Sequence, residues 1–259
     1  MKKRQYLLSF IFSLIITNVA THNSFAASEQ IKVIAFGDSI TAGLFRTTSN
    51  FRLCTHDGST GPTVVCIGNG IVNRGGYVSF LADQLESNGF DATVYNWGIS
   101  GDRTSGMVNR VNSVLAATPS DYIAIMGGAN DARNNFSRSL IIFNYNEMIN
   151  SALNANVVPL IGTVTPNFEN TQFQLRVESY NVEIREIAEQ VGCEGSLADQ
   201  HAALANFNIY TSGDFLHVGS AGNERMATEW FSSIQNAIDC STNTGFNIAP
   251  ILNTLLLGD

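Results

Sequence analysis

Short apolar runs alternate along this chain with segments whose apolar residues recur at helical spacing, and small or amide residues punctuate the joins. Ile31–Phe36 runs into Gly37-Asp38-Ser39 and reads as a buried first strand ending in a tight turn. Tyr77–Leu85 sets Phe80, Leu81 and Leu85 on one helical face until Asn88-Gly89 stops it. Ala92–Trp97 predicts a second strand, Gly106–Ala117 a helix, and Tyr122–Met126 a third strand ending at Gly127-Gly128. Helical spacing returns from about Leu140 to Asn154, followed by the strand Val157–Thr163, which Pro166 stops. A long amphipathic helix over Gln172–Val191 precedes a weaker strand near Glu194–Leu197, and the last helix is expected from Ser220 to Ile238. Residues 44–75 are irregular and polar and read as an inserted surface loop. Residues 241–259 form a tail whose apolar stretch, Ile248–Leu257, is too short to span a bilayer and is expected to pack as a terminal segment.

Strands that alternate with helices over this length argue for a parallel sheet covered on both faces. In such sheets ligands bind outside the carboxyl ends of the strands. Gly37-Asp38-Ser39, Gly98–Gly101 and Gly128–Asp131 all fall at such ends. That convergence directs attention to one edge of the sheet.

The first residues stand apart from the fold. Lys2, Lys3 and Arg4 precede a largely apolar Tyr6–Ala20, and Ser24-Phe25-Ala26 offers the small residues of a cleavage site. Residues 1–26 therefore read as a secretory signal of bacterial type, with residues 27–259 as a single domain that is secreted or periplasmic. No cysteine sits at the cut site, so a lipid anchor is not expected. Cys54, Cys66, Cys193 and Cys240 form an even set in the mature part and include no C-x-x-C pair. An oxidising compartment favours disulfides, and the pairing expected is Cys54–Cys66 with Cys193–Cys240. Closing the shorter loop is worth roughly 3 kcal/mol by loop entropy.

Charge removes further classes. Loss of residues 1–26 takes away three positive charges and no negative one, so the formal net charge moves from -8 to -11. An acidic surface repels nucleic acid and anionic lipid head groups, which excludes nucleic-acid binding as a role, and the shortness of the apolar runs argues against stable membrane insertion. The scattered histidines show no metal-ligand spacing.

Candidate chemistry lies in four segments. A serine nucleophile needs a base in hydrogen-bond reach, a group that orients the base, and donors aimed at the developing oxyanion. Ser39 sits at a strand end with its amide at the start of a helix, although serine there also serves as an ordinary cap. Outside the signal the histidines are His56, His201 and His217. His217 stands three residues after Asp214, a spacing that lets the carboxylate reach the second ring nitrogen if the intervening turn folds back. The same D-x-x-H also fits a capped loop. Gly98–Gly101 and Gly128-Ala129-Asn130-Asp131 offer backbone and side-chain amides, and both also read as plain turns.

In combination the four segments resemble the sequence blocks of the SGNH (GDSL) hydrolase family. Gly37-Asp38-Ser39 is similar to the first block, Gly101 in Ile99-Ser100-Gly101-Asp102 to the second, Gly128-Ala129-Asn130-Asp131 to the G-x-N-D of the third, and Asp214-Phe215-Leu216-His217 to the D-x-x-H of the last. The likeness spans about residues 31–238. It implies a three-layer α/β/α sandwich with a mostly parallel five-stranded sheet, flavodoxin-like. It implies Ser39 as nucleophile, His217 as base and Asp214 as its partner, with Ser39, Gly101 and Asn130 donating to the oxyanion. It further implies hydrolysis of esters through an acyl-enzyme, with no metal or organic cofactor.

The substrate expected is a small-molecule, glycan or lipid ester, and the absence of a long apolar lid favours short acyl or acetyl groups. A monomer is expected. A G-x-S-x-G nucleophile elbow is absent, since Thr41 follows Ser39 by two. Two other readings use the same fold: a non-catalytic module that binds carbohydrate or a partner, and an acyltransferase that passes the acyl group to an alcohol.

Overall fold

The computed structural model describes residues 30–43, 63–66, 76–191, 197–205, 210–211 and 214–244. Its centre is strand β1 (Ile31–Gly37), in which Val33, Ile34, Ala35 and Phe36 are wholly buried. A strand apolar on both faces can be satisfied only between two layers of helices, which is why β1 occupies the middle of the sheet. It pairs in parallel with β3 (Ala92–Gly98) on one side and β4 (Tyr122–Met126) on the other. β5 (Val158–Gly162) and β6 (Leu197–Ala198) continue the sheet beyond β4. The five expected strands thus run β3-β1-β4-β5-β6, all parallel, the strand order of a flavodoxin-like sheet.

A sixth strand, β2 (Thr63–Cys66), extends the edge next to β3. It lies inside the stretch 44–75 that was expected to be loop throughout. Four residues are too few for periodicity to reveal a strand. The remainder of that stretch lies outside the described residues.

Helices cover both faces. On one, α2 (Gly76–Ser87) packs against α8 (Ser220–Thr244). On the other, α3 (Thr104–Ala117) packs against α5 (Arg138–Asn154), and α5 against α6 (Thr171–Gln190). Right-handed crossovers dictate this split, because the chain first winds one way from β1 to β3 and then the other way from β3 to β4. Each wholly buried aliphatic or aromatic side chain contributes roughly 1.5–3 kcal/mol relative to exposure. Trp230 of α8 is the largest of them, stacked on Tyr77 at 6.2 Å and facing the bare backbone of Gly162.

Of the short elements, α1 (Ser39–Ala42) is the helix expected to open at Ser39 and runs for one turn, whereas three others were not expected. α4 (Ala129–Arg133) occupies a segment read as a turn, and α7 (Gln200–Ala203) contains His201. The third, the antiparallel pair β7 (Tyr210–Thr211) and β8 (Asp214–Val218), carries the D-x-x-H segment as extended backbone, where reach of Asp214 to His217 called for a folded-back turn. No helix among the described residues is long and apolar enough to cross a membrane. Residues 1–26 and 245–259 lie outside the described residues. Cys240 is disulfide-bonded. The side chains of Cys54, Cys66 and Cys193 lie outside the description, so neither expected pairing can be read from it.

Candidate active site

The order of the strands reverses between β1 and β4, and the loops after β1, β3 and β4 lie together at the carboxyl edge, where sheets of this kind bind ligands. Ser39 opens α1 directly after β1. The turn is tight because Asp38 caps it, its Oδ1 accepting from Ile40 N at 2.9 Å. It also lies hard against β3. A Cβ on Gly98 would stand 2.1 Å from Ala42 N, so only glycine lets that strand end meet α1. Asn96, wholly buried, rivets the junction by donating to Thr41 O at 2.9 Å and accepting from Gly98 N at 2.9 Å.

Across 178 positions of sequence, His217 Nε2 comes within 2.9 Å of Ser39 Oγ. Ser39 is at the rim of the sheet as expected, yet it is only 5 % exposed, with the imidazole closing on its hydroxyl. β8 presents His217 and is tied to the loop after β5, where Phe168 N donates to Phe215 O at 3.1 Å. At its other end, Asn223 of α8 donates to Val218 O and Gly219 O. Asp214 begins β8, and its side chain lies outside the described residues.

Among the described residues the other histidine is His201. His201 approaches Gln174 at 3.1 Å, away from Ser39, and burial lowers its proton affinity. His56 lies outside the described residues.

Gly101 has φ +77, a left-handed conformation that side chains disfavour, and nothing lies within 4 Å of where its Cβ would be. The position that a side chain would take there is open space. Asn130 begins the second position of α4 and donates its side-chain amide to Asp102 O at 2.8 Å, with Asp38 Oδ2 at 3.5 Å. The structure thus gathers Ser39, Gly101, Asn130 and His217 along one edge.

Several supporting residues were not singled out by sequence. Asp38 is buried, and loss of water pushes its carboxyl up to about 6, against the pull of the Ile40 N–H and of His217. Asp131 follows Asn130 and reaches the start of α3, accepting from Thr104 N at 3.0 Å and from Thr104 Oγ1 at 2.9 Å. Asn144 of α5 donates to that same hydroxyl at 2.8 Å. Burial raises the proton affinity of Asp131, and the two Thr104 bonds oppose it. Arg110 of α3 stands behind the Ser39 and Gly101 loops. Burial lowers its proton affinity, and its bond with Asp102 counters that. No group of His, Cys, Asp and Glu able to hold a metal occurs among the described residues.

Comparison with known proteins bears on the family and the fold. The model of the GDSL-like lipase/acylhydrolase family matches residues 35–225. An arylesterase of Vibrio mimicus is 37% identical over 92 residues, a match covering 35% of this chain and 46% of that relative. The chain thus aligns with less than half of that relative's length. Among solved structures, an acetylxylan esterase from Geobacillus stearothermophilus superposes with a TM-score of 0.60 at 19% identity, covering 80% of this chain and 94% of that one. A lipase/acylhydrolase from Enterococcus faecalis gives 0.59 at 21% identity, covering 80% and 96%. Likeness at that identity establishes the shared fold.

Proposed function

The chain belongs to the GDSL-like lipase/acylhydrolase family, and from that premise we propose that it is a secreted serine esterase that cleaves short-chain acyl or acetyl esters of carbohydrate or lipid alcohols. One observation carries the reading: the 2.9 Å contact between Ser39 Oγ and His217 Nε2 at the carboxyl edge of the sheet. A serine hydroxyl is a weak nucleophile until a base stands ready to take its proton, and that contact supplies the base.

In the first half-reaction Ser39 Oγ attacks the acyl carbon while its proton passes to His217 Nε2. The carbonyl becomes an oxyanion, stabilised by the amides of Ser39 and Gly101 and the side-chain amide of Asn130. Collapse breaks the bond to the alcohol oxygen, which leaves with the proton from His217. Water then repeats the sequence on the acyl-enzyme, releasing the acid and restoring Ser39. Asp214 is the orienting partner of His217 in this scheme, holding its tautomer and stabilising the imidazolium. No step calls for a metal or organic cofactor.

Support for short acyl groups comes from the sequence, which carries no long apolar lid, and from the acetylxylan esterase among the fold neighbours. Export follows from residues 1–26 read as a cleaved signal, with 27–259 as one domain. Cys54–Cys66 and Cys193–Cys240 are the disulfides proposed for an oxidising compartment.

The test uses the mature protein and p-nitrophenyl esters of increasing acyl length. Wild type should turn over, with an optimum at short chains, and Ser39→Ala should lose on the order of 10⁴-fold or more in kcat. Ser39→Ala retaining wild-type turnover would remove the serine mechanism. Inactivity of both proteins on every ester would instead favour a binding module, or a transferase that needs its own acceptor.

A further inference from the structure

Three donors proposed for the oxyanion come from three different loops, so something must hold those loops in register. We propose that Arg110, with Asp102, is the positioning residue that sets the spacing of the three donors. This inference rests on the esterase reading above.

The geometry is that of one planar fork reaching three segments. Arg110 Nη2 donates to Gly37 O, two residues before Ser39, at 2.8 Å. Nη1 donates to Trp97 O, at the end of the strand that leads to Gly101, at 2.8 Å. Nε donates to Asp102 Oδ2, next to Gly101, again at 2.8 Å. The guanidinium lies 4.1 Å over the ring of Phe36, which fixes its plane. The third loop joins through Asp102 itself, whose backbone oxygen accepts from Asn130 Nδ2 at 2.8 Å. Ser39, Gly101 and Asn130 are thereby each one or two links from the same cation.

Asp102 is seated as firmly as Arg110. Its Oδ1 accepts from Arg103 N at 3.0 Å, and its amide donates to Ile99 O at 3.1 Å. It lies over the bare backbone of Gly106, where a Cβ would stand 2.0 Å from Oδ1. Arg110 and Asp102 are 16% and 13% exposed. At that burial a charge-assisted pair keeps its geometry better than a surface pair does, since water competes less for either partner. A lysine could not do the same work. Its single ammonium cannot reach three acceptors set around a plane, whereas the fork of an arginine can.

A device that spaces oxyanion donors acts on the transition state and leaves ground-state binding alone. The experiment therefore compares wild type, Arg110→Lys and Asp102→Asn on a short p-nitrophenyl ester. Active sites are counted by fluorophosphonate titration so that kcat refers to folded, competent enzyme. An alkylboronic acid, which forms a reversible tetrahedral adduct with a serine hydroxyl, reports affinity for the transition-state shape. Arg110→Lys should lower kcat roughly 10²-fold, about the loss of one oxyanion donor. Boronate affinity should fall by the same factor, while KM stays within about threefold. Asp102→Asn, which keeps an acceptor for Arg110 but loses the charge, should fall about 10-fold in both.

Unchanged kcat and boronate affinity per active site in both variants would overturn the inference. So would a loss confined to the number of active sites or to thermal stability, which is what a purely structural role produces. Should wild type neither hydrolyse the ester nor bind the boronate, the esterase reading itself fails, and that outcome is distinct from a defect seen only in the variants.

Discussion

Asp38 is one residue before the proposed nucleophile and is buried at 1 % exposure, so its charge state bears on both stability and the site. Burial raises its carboxyl from 3.8 to about 6. The folded protein therefore holds this proton more tightly than the unfolded chain does. Stability from the group is fully present below pH 3.8 and is lost as pH rises through about 6. The loss amounts to about 3 kcal/mol. In Asp38→Asn the residue still accepts from Ile40 N but does not titrate. Urea unfolding at pH 4 and pH 7 should show the variant gaining on wild type by most of that amount, about 2 kcal/mol, at the higher pH. A gap that does not change with pH would contradict it. Nothing in the sequence announced this burial, because Gly37-Asp38-Ser39 alone reads as a surface turn. Arg110 was illegible for a related reason. A lone arginine on an amphipathic helix reads as a solvated charge until Gly37 O and Trp97 O are seen beside it.

At the scale of elements, the start of α3 depends on a side chain from another loop. Its N-cap, Arg103, makes no side-chain cap bond, and Asp131 takes that role by accepting from Thr104 N and Oγ1. The cap joins the loop bearing Gly101 to the helix bearing Asn130. Asp131→Ala strands two buried donors and should cost about 2–3 kcal/mol in denaturant unfolding. A change within 0.5 kcal/mol, the usual range for surface substitutions, would show that water replaces the bond. Long elements were well marked in the sequence: Tyr122–Met126 is β4 as expected, and α6 starts at Thr171 where Gln172 was anticipated. The misses have local causes. α4 and α7, at five and four residues, are too short for helical spacing to show, β7 has two residues, and β8, read as a turn, is held in place by tertiary contacts. His217 shows the consequence, for the segment between Asp214 and His217, read as a turn, is a strand anchored by Phe168 and Asn223, and from it His217 reaches Ser39.

For the whole molecule, alternation of strands and helices was enough to give the layered fold and the edge on which the chemistry gathers. Three of the four segments that carry it follow β1, β3 and β4, whose parallel course ends them at the same edge, and the fourth, on β8 outside that sheet, meets Ser39 across 178 positions. The edge strand β2 escaped notice inside a polar stretch, and the acidic balance, -8 overall, spoke to partners rather than to fold. The central claim is that Ser39 is activated by His217. It is tested most directly by treating the mature protein with a fluorophosphonate and mapping the adduct by peptide mass spectrometry. A single adduct on Ser39, formed in wild type and slowed on the order of 10³-fold or more in His217→Ala, is the result expected. An adduct on another serine, or equal labelling of wild type and His217→Ala, would contradict it.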